Sequence, residues 1–515
     1  MFKNQVAEFI YKRTYSRWLE EENRRENWEE TIDRFLGFVI SERPDIPEKT
    51  QNKIRKYMME FGVMPSMRFL WAAGPAAKAD NTCIYNCSFA KINNVEAFAE
   101  CLYILMCGTG FGFSVEQEEV SKLPKIPQIN SGQALKKVVI EDSKKGWADS
   151  VKTLMQSLYE GQNIYFDYSE IRLEGARLKT MGGRASGPQP LVKLHDFIRE
   201  TMHNAQGRQL TSLECHDICN QIAEIVVVGG VRRSSQISLS DLHDKDMRHA
   251  KEWPYPIKRA MANNSAIYRE KPSAGEFLSE WAALALSGTG ERGIFNLNAA
   301  QSKAPSRRYA PLIQGTNPCG EIMLRDMEFC NLSEVVVRED DDLDSLLDKV
   351  ETATWLGVIQ SSFTYFPYLR NTWKKNCDTE ALLGVSLTGQ MDNPSLMNSE
   401  VFKALKSRVL RISRKASGIL GTKMPAATTC VKPSGTVSQL VDSASGVHPR
   451  YSEYYIRRYR ISGNDPLFAM MKDVGIPCHP ENGQTKETAS TWVLEFPVKS
   501  PEGCVTRKDV TALEQ

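Results

Sequence analysis

Residues 83–115 read CIYNCSFAKINNVEAFAECLYILMCGTGFGFSV, and this stretch decides the fold class. A strand-like run, 83–92, leads into AFAECLYILM at 97–106, which is apolar nearly all round, as in a buried helix. The glycine-rich GTGFGFSV at 108–115 follows, so the order is strand, helix, glycine turn, strand. Strands joined by a helical crossover lie parallel, which points to an α/β protein.

Working outward, PSMRFLWAAG (65–74) reads as another strand-like run, ended by Gly74. Before it, Trp18, Leu19, Trp28, Ile32, Phe35 and Leu36 recur near helical spacing, so residues 1–75 form an N-terminal helical region. Downstream, helices are expected at 146–161, 211–225, 344–366 and 399–420, with strands at 225–230, 293–298, 330–337 and 454–461. MGGRASGPQP (181–190) holds three glycines and two prolines, so it reads as an irregular loop. The acidic run 340–344 reads as a solvated helix start.

Charge and composition narrow the function classes. The 515 residues carry a net charge of only +2, which gives no electrostatic case for nucleic acid or a membrane surface. No apolar run approaches the roughly 18–20 residues needed to span a bilayer, and the charged N-terminus lacks a signal-peptide core. Twelve cysteines are too sparse for a disulfide scaffold, and no CxxC occurs. A reducing, cytoplasmic setting is expected, where cysteines are buried, metal-bound or catalytic. Cys215-His216 and Cys219 share a helical face, but without a second ligand pair zinc is not expected.

Three constellations could carry chemistry. In Asn317-Pro318-Cys319-Gly320-Glu321, extension would set Asn317 and Glu321 about 13 Å apart at roughly 3.3 Å per residue. For both to reach one small polar substrate the segment must curl into a tight loop; a capped turn around a buried cysteine fits the same spacing. Cys330 follows eleven residues after Cys319, and Cys87 lies far upstream in YNCSF; no spacing rule pairs them. Pro433-Ser434-Gly435-Thr436 precedes the apolar VSQLV and offers hydroxyls and N–H groups to a phosphate, or simply caps a helix. GTGFGF lacks the third glycine of a dinucleotide fingerprint, so no Rossmann site is read there.

Taken together and in order, PSMRFLWAAG, YNCSF, GTGFGFSV, GGRASGPQPL, VVVGGVRRS, ANNS, GIFNLN, TNPCGEI, CNLSEV and VKPSGTV resemble the catalytic subunit of ribonucleotide reductases. The resemblance runs from residue 65 to about 440. It implies a ten-stranded α/β barrel of two parallel half-sheets over 76–515, with TNPCGEI on a central finger loop and an effector-region insertion at about 116–200. Cys319 would become a thiyl radical and take the hydrogen from C3′ of the ribose. Glu321 would be the general base on the 3′-hydroxyl, and Asn317 would orient the hydroxyls. Cys87 and Cys330 would supply the reducing equivalents and end as a disulfide. A dry barrel interior would protect the thiyl. Ser66, Asn86, Gly108, Gly110 and the Pro433, Ser434, Gly435, Thr436 turn would bind substrate, and Gly182, Gly183, Arg184 and Ser186 would form the loop that links a dNTP effector to the substrate base.

EDSKKGWADSV, GGRASGPQPL and TNPCGEI resemble the monomeric, adenosylcobalamin-dependent class II branch, which implies adenosylcobalamin, a ribonucleoside triphosphate substrate and a thioredoxin-like or dithiol reductant. The alternatives are a class I large subunit using a partner-borne radical, or an inactive nucleotide-binding fragment of a split reductase. The sequence closes on VTRKDVTALEQ where the family continues, so a separate C-terminal fragment is a further expected partner.

Overall fold

The structure is a computed structural model that describes residues 2–129, 134–176, 185–228, 235–432, 434–463, 465–482, 484–489 and 491–515. Its centre is the unit read at 83–115. Strand Cys87–Lys91 runs into helix Val95–Met106, whose N-cap Asn94 accepts the Ala97 N–H, and then into strand Gly110–Ser114. The two strands pair in parallel, with Cys87 opposite Gly110. Strands Gln236–Asp241, Ala262–Tyr268 and Gly293–Asn296 extend the sheet in parallel on the Gly110–Ser114 side. On the other side the short strand Glu328–Phe329 adds antiparallel to Cys87–Lys91.

A second sheet sets Ser333–Val336 parallel to Val385–Thr388 and antiparallel to Val63–Pro65. A parallel bridge from Val385 to Thr429 continues it towards the 430–436 segment. Helix Leu343–Ser361 packs behind this sheet; Asp342 closes a capping box with Ser345, which accounts for the acidic run at its start. The molecule is thus α/β with mixed sheets. A separate antiparallel sheet of Tyr454–Ser462, Thr491–Lys499 and Cys478–Pro480 lies near the C-terminus and packs on the first helix through Phe9, Tyr459 and Phe496. No described helix is long and apolar enough to cross a membrane.

Two expected strands are helices. Residues 225–228 finish helix Ser212–Val228, because Ile218, Ile222, Ala223, Ile225 and Val226 continue one buried helical face and no breaker interrupts it. Packing there overrides the β-preference of a valine run. In the 65–74 run only Pro65 belongs to a strand; Ser66 caps helix Met67–Ala72 by accepting the Phe69 N–H.

Candidate active site: three thiols on a finger and a sheet edge

The segment that had to curl does so. Gly315–Thr316 and Met323–Leu324 pair antiparallel and leave residues 317–322 as a six-residue finger loop. Inside it the Asn317 amide donates to Glu321 Oε2 at 2.9 Å, and Asn317 Oδ1 accepts the Ile322 N–H at 3.0 Å. Gly320, at φ +83°, makes the turn, and its N–H donates to the Asn317 carbonyl.

Glycines let this finger lie against the first sheet. A Cβ on Gly112 would stand 2.4 Å from the Thr316 carbonyl oxygen, and one on Gly315 would strike the Phe89 ring at 2.2 Å. A Cβ on Gly110 would stand 3.1 Å from Cys87 Sγ and 3.3 Å from Pro318, so the finger tip is seated over Cys87. Gly112→Ala is therefore expected to cost about 1–3 kcal/mol of stability, and to lower kcat by displacing the finger. Thermal unfolding and steady-state kinetics check this; an unaltered melt and kcat would contradict it.

The pairing of Cys87 with Cys330, open at the level of spacing, follows from strand register. Phe329 stands opposite Ser88, and the Cys330 N–H donates to the Cys87 carbonyl at 2.9 Å, so the two cysteines are cross-strand partners. Hydrogen-bonded antiparallel partners have Cα atoms about 5.5 Å apart, within the roughly 4.4–6.8 Å that a disulfide spans. Both are buried. Cys87 shares hydrogen bonds with Cys319 and with Cys330; the first lowers its pKa, but the second and burial outweigh it, leaving it at about 12. The interaction with Cys87, and after it the partial loss of water around the sulfur of this otherwise exposed residue, pushes Cys319 above the usual thiol range. The Cys87 and Cys319 thiols are both held towards their protonated form.

The dry interior expected for Cys319 is not found. Cys319 and Gly320 are exposed at the tip, whereas Asn317 and Pro318 are buried. A finger held by its base and flanks leaves its end open on one side.

Sequence reasoning missed Lys432 and Glu334. Lys432 Nζ donates to Glu321 Oε1 at 2.7 Å. Burial works against its charge, but the Glu321 carboxylate outweighs that and holds its pKa above the ordinary value. Glu334, on strand Ser333–Val336, accepts from the Ser434 hydroxyl at 2.9 Å. Lys432 gave no signal beside Pro433. Glu334 did give one, as a lone carboxylate in the apolar run CNLSEVVV, where a buried charge needs a partner.

The finger's base rests on a buried ionic cluster. Arg308 donates to the Met323 carbonyl at 2.7 Å and pairs with Glu328 and Glu380, while the Arg325 N–H donates to Glu328. Burial and the neighbouring Glu380 push the Glu328 carboxyl up. Arg308→Met is expected to cost about 3–5 kcal/mol, since it strands buried acids; urea unfolding measures this, and a loss below 1 kcal/mol would contradict it.

The remaining expected binding residues separate. Gly110 lies at the thiols. Asn86 Oδ1 is buried without a hydrogen-bond partner, next to Cys87. Ser434 is buried and Gly435 exposed, while Thr436 starts a helix of five residues, too short for its terminus to add much field. Gly108, at φ +79°, packs instead against the Arg68 guanidinium, where a Cβ would clash at 2.5 Å. Ser66 spends its hydroxyl on its helix cap and on the Ile84 carbonyl. Ser186 donates to Gly187. Pro433, Gly182, Gly183, Arg184 and residues 229–234 of VVVGGVRRS lie outside the described residues. Among the described residues, Cys215, His216 and Cys219 form no metal-binding group.

Residues 1–75 match the model of the ribonucleotide reductase alpha domain, and residues 125–202 match that of the B12-dependent ribonucleotide reductase insertion domain. The chain is 28% identical to the adenosylcobalamin-dependent ribonucleoside-triphosphate reductase of Lactobacillus gasseri, over 95% of this chain and 79% of the relative. It is 27% identical to the enzyme of that name from Lacticaseibacillus paracasei, over 95% and 78%. A crystal structure of a B12-dependent (class II) ribonucleotide reductase superposes with a TM-score of 0.80 at 25% identity, covering 95% of this chain and 81% of that one. The class Id alpha subunit of Actinobacillus ureae shares the fold at a TM-score of 0.55 and 14% identity, over 92% and 79%. With three thiols gathered at a finger, matching models at two places and relatives along nearly its whole length, the chain is similar to the ribonucleotide reductases, and among them to the adenosylcobalamin-dependent class II enzymes.

Proposed function

We propose that this chain reduces ribonucleoside triphosphates to 2′-deoxyribonucleoside triphosphates, with adenosylcobalamin as cofactor. The observation that carries the reading is the seating of the finger, through Pro318 beside Cys319, over Cys87, itself the cross-strand partner of Cys330.

In this reading the Cys319 thiyl takes the hydrogen atom from C3′ of the ribose. Glu321 accepts the proton of the 3′-hydroxyl, and the Asn317 amide orients the hydroxyls. The C2′–O bond then breaks and the oxygen leaves as water. Cys87 and Cys330 give up two hydrogen equivalents and join as a disulfide, so C2′ gains one hydrogen and the departing oxygen the other. Glu321 returns its proton to the 3′-oxygen, and Cys319 finally returns its hydrogen to C3′. The Ser434–Thr436 turn and Asn86 hold the phosphates and sugar.

The cofactor fits this site because the Cys319 tip is exposed while the reducing pair is buried, so Cys319 and Gly320 are the face it would meet. When bound, adenosylcobalamin supplies a radical equivalent by homolysis of its cobalt–carbon bond.

Five parallel strands in the first sheet match the strand number of one half of a ten-stranded barrel, while the second sheet supplies one parallel pair and an antiparallel strand. A dNTP effector would act through the 181–190 loop and the insertion, and a dithiol or thioredoxin-like protein would re-reduce Cys87–Cys330. Incubation with CTP, adenosylcobalamin and a dithiol should yield dCTP, and omission of the cofactor should abolish it. Product formed equally well without the cofactor would overturn the proposal.

A further inference from the structure

Ser434 has a single hydroxyl proton, and the structure shows where it goes. The hydroxyl donates to Glu334 Oε2 at 2.9 Å and accepts the Ser438 N–H at 3.2 Å. Glu334 lies on the strand beneath the turn; its cross-strand neighbours are Met64 and Ser386, and Ser386 Oγ accepts the Lys432 N–H at 3.0 Å. Thus one sheet face grips both ends of the Lys432–Ser434 segment. While Glu334 is ionised it can only accept, so the Ser434 proton points inward and is lost to any phosphate. A protonated Glu334 can donate to the free lone pair of Ser434 and release that hydroxyl proton to turn outward.

We propose that Glu334 is a positioning residue that sets the direction of the Ser434 hydroxyl, so that the chain takes up a proton as a nucleoside triphosphate binds. The inference rests on the proposed role of the 434–436 turn in holding phosphate.

The surroundings support it. Burial raises the Glu334 carboxyl, against the Ser434 hydrogen bond and the Lys432 charge that lower it, with Glu321 raising it again, and it comes to about 7. From the N-terminal segment it faces Tyr15, whose hydroxyl is buried without a hydrogen-bond partner. Lys432, Glu321, Tyr15 and Cys430 are thus the titratable groups around it. A phosphate arriving beside it adds negative charge and raises the carboxyl further, so the bound state holds the proton. Affinity gained this way is full below pH 7 and is lost as pH rises above it.

Calorimetric titration of the full chain with CTP, in buffers of different ionisation enthalpy, counts the protons. The wild type should take up close to one proton per CTP at pH 8, and its affinity should fall by about tenfold per pH unit above 7. Glu334→Gln, whose amide donates to Ser434 as the protonated acid would, should take up about one proton fewer and bind with little pH dependence. Titration of the CTP phosphates themselves is common to both proteins and cancels. Equal uptake and equal slope in wild type and variant would overturn the inference, as would a wild type that takes up no proton. Ser434→Ala separates the two readings. Weaker CTP binding in this variant with an unchanged slope in Glu334→Gln rejects only the role of Glu334, whereas undiminished CTP binding by Ser434→Ala rejects the phosphate turn itself and this inference with it.

Discussion

Cys319→Ser is expected to leave the chain folded and able to bind nucleotide, yet to form no deoxyribonucleotide, a loss on the order of 10⁴-fold or more. The substitution changes one atom at an exposed tip, and a Cβ at the neighbouring Gly320 would meet nothing within 4 Å, so packing has little to lose. What disappears is the S–H bond that the proposed cycle would break and remake. Product formation measured with CTP as substrate, beside a melting curve, checks this. Residual reduction above about one hundredth of the wild-type rate would mean that this sulfur does not carry the chemistry.

Glu321→Gln should be the next largest loss, about 10²- to 10⁴-fold in kcat with a much smaller change in KM. The amide offers one oxygen where Glu321 uses two, Oε1 for Lys432 at 2.7 Å and Oε2 for Asn317 at 2.9 Å, so one bond can be kept and the other is lost. The capacity to take a proton is gone as well. Saturation kinetics distinguish this from misplacement, because a displaced finger would raise KM as well. A kcat within tenfold of wild type would remove Glu321 from the base role.

Much of this architecture could be read in the chain because its elements declare themselves locally. The helix at 95–106 is apolar all round, and the glycines after it permit both the turn and the close approach of the finger. The curl of residues 317–321 was expected on the condition that Asn317 and Glu321 serve one substrate, since an extended segment would hold them about 13 Å apart. The opposition of Cys87 and Cys330 was not legible, because it depends on a strand of two residues, Glu328–Phe329, too short to show any period. Residues 225–228 misled for the opposite reason: valines favour strands locally, but a helical face already buried from Ile218 onward absorbed them. Lys432 and Glu334 acquire meaning only when the second sheet brings the 432–434 segment to the finger, a contact made across more than a hundred residues. The open tip was hidden too, since exposure of one thiol is a property of the assembled cleft.

The account stands on Cys319 acting beside a pair, Cys87 and Cys330, that delivers the electrons. A single turnover tests this most directly. Fully reduced protein is mixed anaerobically with adenosylcobalamin and CTP but no external reductant, quenched with a thiol-blocking reagent, and its peptides are mapped by mass spectrometry. One equivalent of dCTP should appear with one new disulfide, joining Cys87 to Cys330, while Cys319 remains as a blocked thiol. Production of dCTP with Cys87 and Cys330 still reduced, or with the new disulfide at Cys319, would contradict it.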